Sequence, residues 1–111
     1  MPLKKLNFQT FAGQLNTTFE VRAEDGSVVP LQLIQTKKAE ARKNPNDGGV
    51  SYENFSLLFA GPLQPVLEQK IYEFAHSKIG RLEMFMVPVL SRDTASIHYE
   101  CIFNRPAVRH T

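Results

Sequence analysis

The chain has 111 residues, of which 42% are hydrophobic and 22% charged, so its length suits one compact domain and is short for two. A formal net charge of +2 is too small to indicate nucleic-acid binding or attraction to an anionic membrane. No apolar run approaches the roughly 18 residues of a membrane span, and no signal-like apolar stretch follows Lys5. A single cysteine, Cys101, cannot form an internal disulfide, so we expect a cytoplasmic protein.

The first predicted element is a short helix or turn from Asn7 to Ala12. Phe8 and Phe11 are three residues apart and therefore lie on one side of it. Asn7 is a suitable N-cap and Gly13 a suitable stop. We expect this segment to cover one end of the hydrophobic core.

Two strands that pair as a hairpin are predicted next. Apolar residues alternate with polar ones through Phe19, Val21 and Ala23, and again through Val29, Leu31 and Leu33. We expect the pairs Ala23–Val29, Val21–Leu31 and Phe19–Leu33. This pairing needs an odd loop of three or five residues, with Gly26 at positive φ.

Residues 37–50 are predicted to form a mobile loop, because residues 37–49 contain no aromatic or β-branched residue. Lys37, Lys38, Arg42 and Lys43 cluster here and suggest contact with phosphate groups. No aromatic residue is interleaved to stack on bases, so we favour a solvated connection and consider nucleic-acid binding the weaker interpretation. The core is predicted to span about residues 7–104, followed by a short tail at 105–111, within one domain covering 1–111.

Further alternating segments predict the remaining strands. Phe55, Leu57 and Phe59 alternate with smaller residues up to Gly61–Pro62. The last hairpin strand alternates an apolar set with a mostly polar set: Ile97, Tyr99, Cys101 and Phe103 against His98, Glu100, Ile102 and Asn104. We therefore predict a mostly β fold, a compact antiparallel sandwich or a small partly open barrel of about 6–7 strands, with the short N-terminal helix or turn.

Residues 66–79 have two interpretations. Apolar residues recur there at helical spacing and Gly80 fits a C-cap, which indicates a helix. Alternation from Lys70 to His76 indicates instead a strand, with Tyr72 and Phe74 on one face. Periodicity does not choose between them.

Several short motifs resemble a small bacterial domain family of unknown function. They are FSLLF from Phe55, then Gly61–Pro62, Tyr72 with His76 four residues on, FMVPV from Phe85, and YE-x-x-FN from Tyr99. The family typically has glycine at the position of Lys70 and proline at the position of Ser77. These turn-forming residues imply a strand between two turns. The resemblance supplies no catalytic residues and implies an association with phage-tail-like assemblies.

Polar side chains that could carry chemistry are few. Tyr72, His76, His98 and Glu100 form a candidate polar site, and they support the alternative of a small-molecule-binding or enzymatic β-barrel. A metal needs three or four converging ligands, which these residues do not provide at predicted positions, so we expect no metal and no cofactor. The other interpretation of His76 is structural, with a ring nitrogen bonded to a backbone carbonyl near residues 77–80.

A nucleophile is also not indicated. Cys101 alternates into the apolar set between Tyr99 and Phe103, where a thiol is ordinarily buried and inert. The sequence contains no catalytic motif of the nucleophile-elbow, P-loop, zinc-protease or dinucleotide-binding kind. We therefore expect that the protein is not an enzyme.

Residues 82–90 are apolar on both predicted faces. Phe85, Val87 and Val89 form one face, which we assign to the core because such residues suit fixed packing. The adaptable methionines of the other face suit a contact surface, so the candidate interface is Met84, Met86, Pro88 and Leu90. Pro88 lacks an N–H and predicts an edge strand. The favoured function is a non-enzymatic structural or interaction module that self-associates or docks on a larger assembly.

Overall fold

The chain folds as a six-stranded barrel with one helix; a computed structural model describes residues 8–39 and 51–107. The elements are α1 (Phe8–Ala12), β1 (Thr18–Arg22), β2 (Val28–Ala39), β3 (Ser51–Gly61), β4 (Lys70–His76), β5 (Gly80–Val89) and β6 (Ile97–Ala107). All neighbouring strands are antiparallel, and the barrel closes in the order β1-β2-β3-β6-β5-β4. The predicted mostly β fold with an N-terminal helix is confirmed, and the barrel is closed rather than partly open.

The strand ladders differ greatly in length. β3 pairs with β6 along the whole of β3, from Ser51–Ala107 to Gly61–Ile97. The two ladders that join the β4–β5 hairpin to the rest are short: Glu20–Ala75 and Val21–Phe74 toward β1, and Val87–Glu100 to Val89–His98 toward β6. These two ladders are the short seams of the barrel.

The first hairpin has the predicted faces but a different register. Phe19 pairs with Leu31 and Val21 with Val29, so the predicted pairing is wrong by two residues. A shift of two keeps every side chain on the same face, which is why the inward set was still identified correctly. The turn has the predicted odd length: Arg22 pairs with Val28, and Gly26 has φ 88° and donates its N–H to the Ala23 carbonyl.

β2 extends into the segment that was predicted as a loop. Lys37, Lys38 and Ala39 pair with Ser56, Phe55 and Asn54 of β3. The prediction of a loop beginning at 37 is wrong because strand pairing is made by the backbone and tolerates lysine side chains that are exposed to solvent, as Lys37 and Lys38 are. Residues 40–50 lie outside the described residues. Similarly, β6 continues to Ala107, so residues 105–107 belong to a strand and not to the predicted tail; residues 108–111 lie outside the described residues.

Residues Lys70–His76 form a strand, so the helical interpretation of 66–79 is wrong. Tyr72 and Phe74 point inward, as the strand interpretation required, while Ile71 is exposed. Gly80 has φ 94° at the tight connection to β5, where His76 pairs with Gly80. The apolar residues recur at helical spacing because this short stretch has two apolar residues on the outward face of the strand in addition to those on its inward face.

α1 covers part of the core with its two phenylalanines, as predicted. Phe11 is fully buried, and its ring contacts Phe19, Phe55 and Phe103 at centroid distances of 5.3–6.5 Å. Phe8 packs edge-on against Phe55. Gly13 ends the helix and donates its N–H to the Gln9 carbonyl at 3.1 Å.

The barrel interior is filled by alternate residues from all six strands. It includes Phe19, Leu31, Leu57, Phe59, Phe74, Met86, Tyr99 and Cys101, each buried to within 1% of complete. The β5 residues inside are Leu82, Met84 and Met86. Phe85, which the sequence assigned to the core, is half exposed on the outside.

Candidate functional site

The four polar residues singled out in the sequence do not form one site. Tyr72 and His76 lie on the inward face of β4 and are buried. His98 and Glu100 alternate with buried Tyr99 and therefore lie on the outward face of β6. The barrel wall thus separates the two pairs. Within residues 8–39 and 51–107, no group of three or more histidine, cysteine or acidic residues is placed to hold a metal ion.

His76 connects three parts of the fold. The backbone N–H groups of Lys78 and Ile79 donate to its Nδ1 at 3.0 and 3.2 Å. Its Nε2 lies 2.8 Å from the Thr17 hydroxyl oxygen. That hydroxyl donates to the Gln14 carbonyl at 2.6 Å, so it accepts the Nε2 proton and the ring is the neutral Nε2–H tautomer.

The structural interpretation of His76 is therefore correct in kind, with one correction. The partners in the turn are backbone N–H donors and not the predicted backbone carbonyl. The ring also packs on Phe19 at a centroid distance of 4.3 Å. With both nitrogens occupied and the ring buried, His76 fixes the β4–β5 turn against the segment that follows α1.

Two tyrosine hydroxyls hold the connection between β3 and β4. Tyr99 accepts a hydrogen bond from the Leu67 N–H at 2.9 Å, and Tyr72 donates to the Glu68 carbonyl at 2.7 Å. Burial raises the pKa of Tyr72, partly offset by the nearby Lys70 ammonium. The Tyr99 contact was not predicted; the available signal in the sequence was a tyrosine on an inward face, which needs a partner for its hydroxyl.

His98 belongs to a small polar cluster on the outside. Its Nε2 lies 3.6 Å from a carboxylate oxygen of Asp93. Asp93 also accepts hydrogen bonds from the Ser96 hydroxyl and the Ala95 N–H, and these bonds lower its pKa. The cluster shapes the turn before β6 and does not include Glu100.

Cys101 lies inside the barrel, as its alternation predicted. It is 1% exposed, and burial, with a contribution from the charge of Glu100, raises its pKa to about 12. A thiol with this pKa is protonated at neutral pH, and the thiolate is the reactive form. The geometry does not equip Cys101 as a nucleophile.

The predicted interface of Met84, Met86, Pro88 and Leu90 is divided by the barrel wall. Met84 and Met86 are buried in the core, so their assignment to a contact surface is wrong. The unbranched side chains fill the interior beside the aromatic rings, a role for which methionine is also suited. Leu90 and Pro88 are exposed. β5 has a neighbour on each side and is not an edge strand, although Pro88 lies beyond its last pair with β4 at Met86.

The apolar residues on the outside of the barrel form a row that we call the outer strip: Ile71, Phe85 and Ile102. Their side chains are 59%, 50% and 67% exposed. Ile71 pairs with Phe85 across β4 and β5. The β5–β6 ladder ends at Val87–Glu100, and Phe85 and Ile102 are the next outward-facing residues beyond that pair on β5 and β6. The three residues thus lie on three consecutive strands, and Ile71 and Phe85 are direct neighbours.

A shallow groove of about 280 Å³ adjoins the outer strip, and we call it the Ser56 groove. It is lined by Lys37, Asn54, Phe55, Ser56, Glu100, Ile102 and Phe103. Ser56 pairs with Ile102 on one side and with Lys37 on the other, so a small side chain forms the floor between two longer ones. Strip and groove thus share Ile102.

The basic cluster is only partly described. Lys38 lies over the ring of Phe8, with 5.7 Å between the ammonium and the ring centroid. Lys37 is exposed on the outside of β2 and lines the Ser56 groove. Arg42 and Lys43 lie outside the described residues, so phosphate contact by this cluster, the weaker of the two interpretations, is not tested.

Comparisons with known proteins identify a family and no individual relative. No helix in the described part of the chain has the length and apolar character needed to cross a membrane. No curated protein and no solved structure matches the sequence. One family model matches residues 6–103, which agrees with the resemblance drawn from the motifs. The chain belongs to the family described as Domain of unknown function (DUF6916).

Proposed function

We propose that the protein is a non-enzymatic interaction module that self-associates through the outside of its barrel. The observation that carries the proposal is the outer strip, where three large apolar side chains on neighbouring strands are each at least half exposed. Single exposed apolar residues are common on soluble proteins, but a contiguous set often marks an interaction surface.

The outer strip is not needed for the barrel itself. Leu82, Met84 and Met86 already supply the inward face of β5. A strand with one wet face ordinarily alternates apolar and polar residues, yet Phe85 and Val87 are apolar on the other face. An additional contact partner accounts for this second face.

A second copy of the chain is the partner that we propose. The surface next to the strip offers a groove and a cation, Lys37, and the strip itself is flanked by the carboxylate of Glu83. Apolar groups with an acidic neighbour and a groove lined by both Lys37 and Glu100 thus occur on one molecule. Such self-complementarity is what a two-fold symmetric contact requires.

The other two interpretations receive less support from the geometry. A pocket using His76, His98 and Glu100 would need these residues on one side of the barrel wall, and they lie on opposite sides. Phosphate contact would rest on Lys37 and on residues outside the described part. Under the proposed function the protein works in a reducing compartment, the bacterial cytoplasm, because its single thiol is buried and unpaired in the chain.

The test is the mass of the protein in solution as its concentration rises. Sedimentation from 1 to 200 µM should show association of the parent protein and not of Phe85→Lys. Val28→Lys is the matched control, because Val28 is 51% exposed on β2, away from the strip. Circular dichroism should show both variants folded. A parent protein that stays monomeric throughout, or an equal effect of the control, would contradict the proposal.

A further inference from the structure

We propose that His76 is an acid-sensitive latch that holds the turn end of the β4–β5 hairpin against the barrel, and that protonation of its ring releases this end. The hairpin moves within a single barrel, so the opening is independent of self-association. The moving part, the fixed part and the trigger meet in the hydrogen bonds around the ring.

Few backbone contacts hold the turn end of the hairpin. Within the described strands, Gly80–Met86 of β5 pair with β4 and not with β6, because the β5–β6 ladder begins only at Val87. On the other side of the hairpin, the ladder between β4 and β1 has two pairs and ends at Ala75. His76 follows Ala75 directly, so its side-chain bonds act at the point where the backbone ladder stops.

The receiving side of the latch is anchored to β2. Thr17, whose hydroxyl oxygen lies 2.8 Å from Nε2 of His76, accepts a hydrogen bond at its carbonyl from the Leu33 N–H at 3.0 Å. The neighbouring Asn16 donates its N–H to the Leu33 carbonyl at 2.7 Å. Loss of the His76 contact therefore frees the hairpin turn and leaves the segment after α1 in place.

The trigger is a proton on Nδ1. The neutral ring carries its proton on Nε2, and Nδ1 accepts the N–H groups of Lys78 and Ile79 at 3.0 and 3.2 Å. A second proton must bind to Nδ1, where it removes the acceptor of both N–H groups. Burial adds to this cost, because a buried imidazolium loses more hydration than a buried imidazole. Contact with the Phe19 ring favours the cation, but it contributes less than the two hydrogen bonds and burial together.

The charged groups around His76 also disfavour a second positive charge. Lys78, in the turn, is an exposed cation two residues away. Arg81 of β5 and Glu20 of β1 lie beside β4 on the outer face of the barrel wall. Residues 8–17, which include α1 and the segment after it, contain no titratable side chain. Among the described residues next to the ring, cations therefore outnumber carboxylates.

The direction of the pH effect follows from weaker proton binding in the latched state. A released turn exposes an ordinary imidazole, which takes up a proton near pH 6.5. The latch is therefore fully stable above about pH 6.5 and weakens as the pH falls below this value. For one proton, the equilibrium constant for opening rises by close to tenfold per pH unit once the pH is below about 6.

Hydrogen exchange measured by NMR between pH 7 and 4.5 tests the latch. Protection factors of the Lys78 and Ile79 amides should fall by about tenfold per pH unit below pH 6 in the parent protein. They should stay constant in His76→Asn, because the asparagine Oδ1 accepts the N–H two residues on and does not titrate. His98→Asn is the matched control, because it removes a histidine from the outer face, near Asp93, and should keep the parent's pH dependence.

Titration of the ring supplies a readout that a purely structural histidine would not produce. The ¹⁵N signals of His76 should show the neutral Nε2–H form at pH 7. Proton uptake should then have the same midpoint as the loss of protection at Lys78 and Ile79. Thr17→Val should lower this protection at pH 7 and leave its slope with pH unchanged, because the proton binds at Nδ1.

Several results would overturn the latch. They are a ring that takes up its proton while both turn amides stay protected, a ring that stays neutral down to pH 4.5, and an equal loss of protection in His76→Asn. Parallel loss of protection in the β3–β6 ladder would show global acid unfolding and would also overturn it. If His76→Asn does not fold, the parent protein alone decides: coincident midpoints support the latch, and separate midpoints contradict it.

Discussion

Replacement of Met86 by lysine distinguishes an interior β5 methionine from a surface one. Met86 is completely buried in the barrel, and its strand position is opposite Lys70 of β4. A lysine at this position removes an apolar side chain from the core and introduces an ammonium among aromatic rings. We expect Met86→Lys to unfold the protein, whereas Phe85→Lys, one residue away on the outside, should leave the fold intact.

The size of the effect follows from burial. Loss of a fully buried methionine side chain costs roughly 1.5–3 kcal/mol. The lysine must also strip its ammonium of water or distort the strand to reach solvent, which adds several kcal/mol. The total of about 5 kcal/mol or more is comparable with the whole stability of a small domain, about 5–15 kcal/mol. At the interior position the charged side chain should therefore decide whether the barrel forms.

Urea unfolding monitored by circular dichroism measures the difference. Met86→Leu is the control for the loss of methionine, and it should cost less than about 1.5 kcal/mol because volume is conserved. Phe85→Lys should change the free energy of unfolding by roughly 0.5 kcal/mol or less in the monomer. If Met86→Lys unfolds cooperatively with a midpoint within about 0.5 M urea of the parent, the side chain is not in the interior and the assignment of the two β5 faces is wrong.

Three further predictions concern the interior hydrogen bonds, the thiol and the seams. Tyr99→Phe should cost about 1–3 kcal/mol in urea unfolding, because the buried Leu67 N–H loses its acceptor; an unchanged midpoint would show that water replaces the hydroxyl. Cys101 should resist maleimide in the native state. Because folding raises the pKa of its thiol, the free energy of unfolding should fall as pH rises above the thiol's unfolded-state pKa near 9, by about 1 kcal/mol at pH 10. Cys101→Ala should remove that part of the decline, and rapid native labelling would contradict the burial. In hydrogen exchange, amides in the β3–β6 ladder should exchange more slowly than those at the β1–β4 seam, and the reverse order would mean that the short ladder is not the weaker attachment.

The fold class could be predicted because strand alternation reports burial directly. Phe19, Phe59 and Cys101 were placed inward from a period of two, and all three are buried. Loop parity followed from the same rule, so the hairpin turn was predicted with Gly26 at positive φ even though the register was displaced by two residues. The odd or even length of a loop decides which strand face each residue occupies, but it does not distinguish two pairing registers that differ by two residues.

The candidate site could not be predicted because alternation along a strand assigns residues to two faces but does not show which face points into the barrel. In β5 both faces are apolar, so the choice between Met86 and Phe85 depended on side-chain type, and packing inside the barrel overrode that preference. The extension of β2 through Lys37 was also not predicted, because its pairing with Ser56 is made by backbone groups and not by side chains. The separation of His76 from His98 required strand positions in three dimensions, which alternation along one strand does not supply.

The ten residues of β5 present one apolar face to the barrel interior and another to the outside, so substitutions on the two faces have different consequences. Leu82, Met84 and Met86 are buried, so substitutions there should affect folding, whereas Phe85 is half exposed and under the proposed function substitutions at Phe85 or Val87 should affect association. A mutational scan of this strand with separate measurements of folding and of association should therefore show two interleaved profiles, each with a period of two. Under the proposed function, the odd-numbered β5 positions could change in sequence, and with them the partner, while the residues that fold the barrel stay the same.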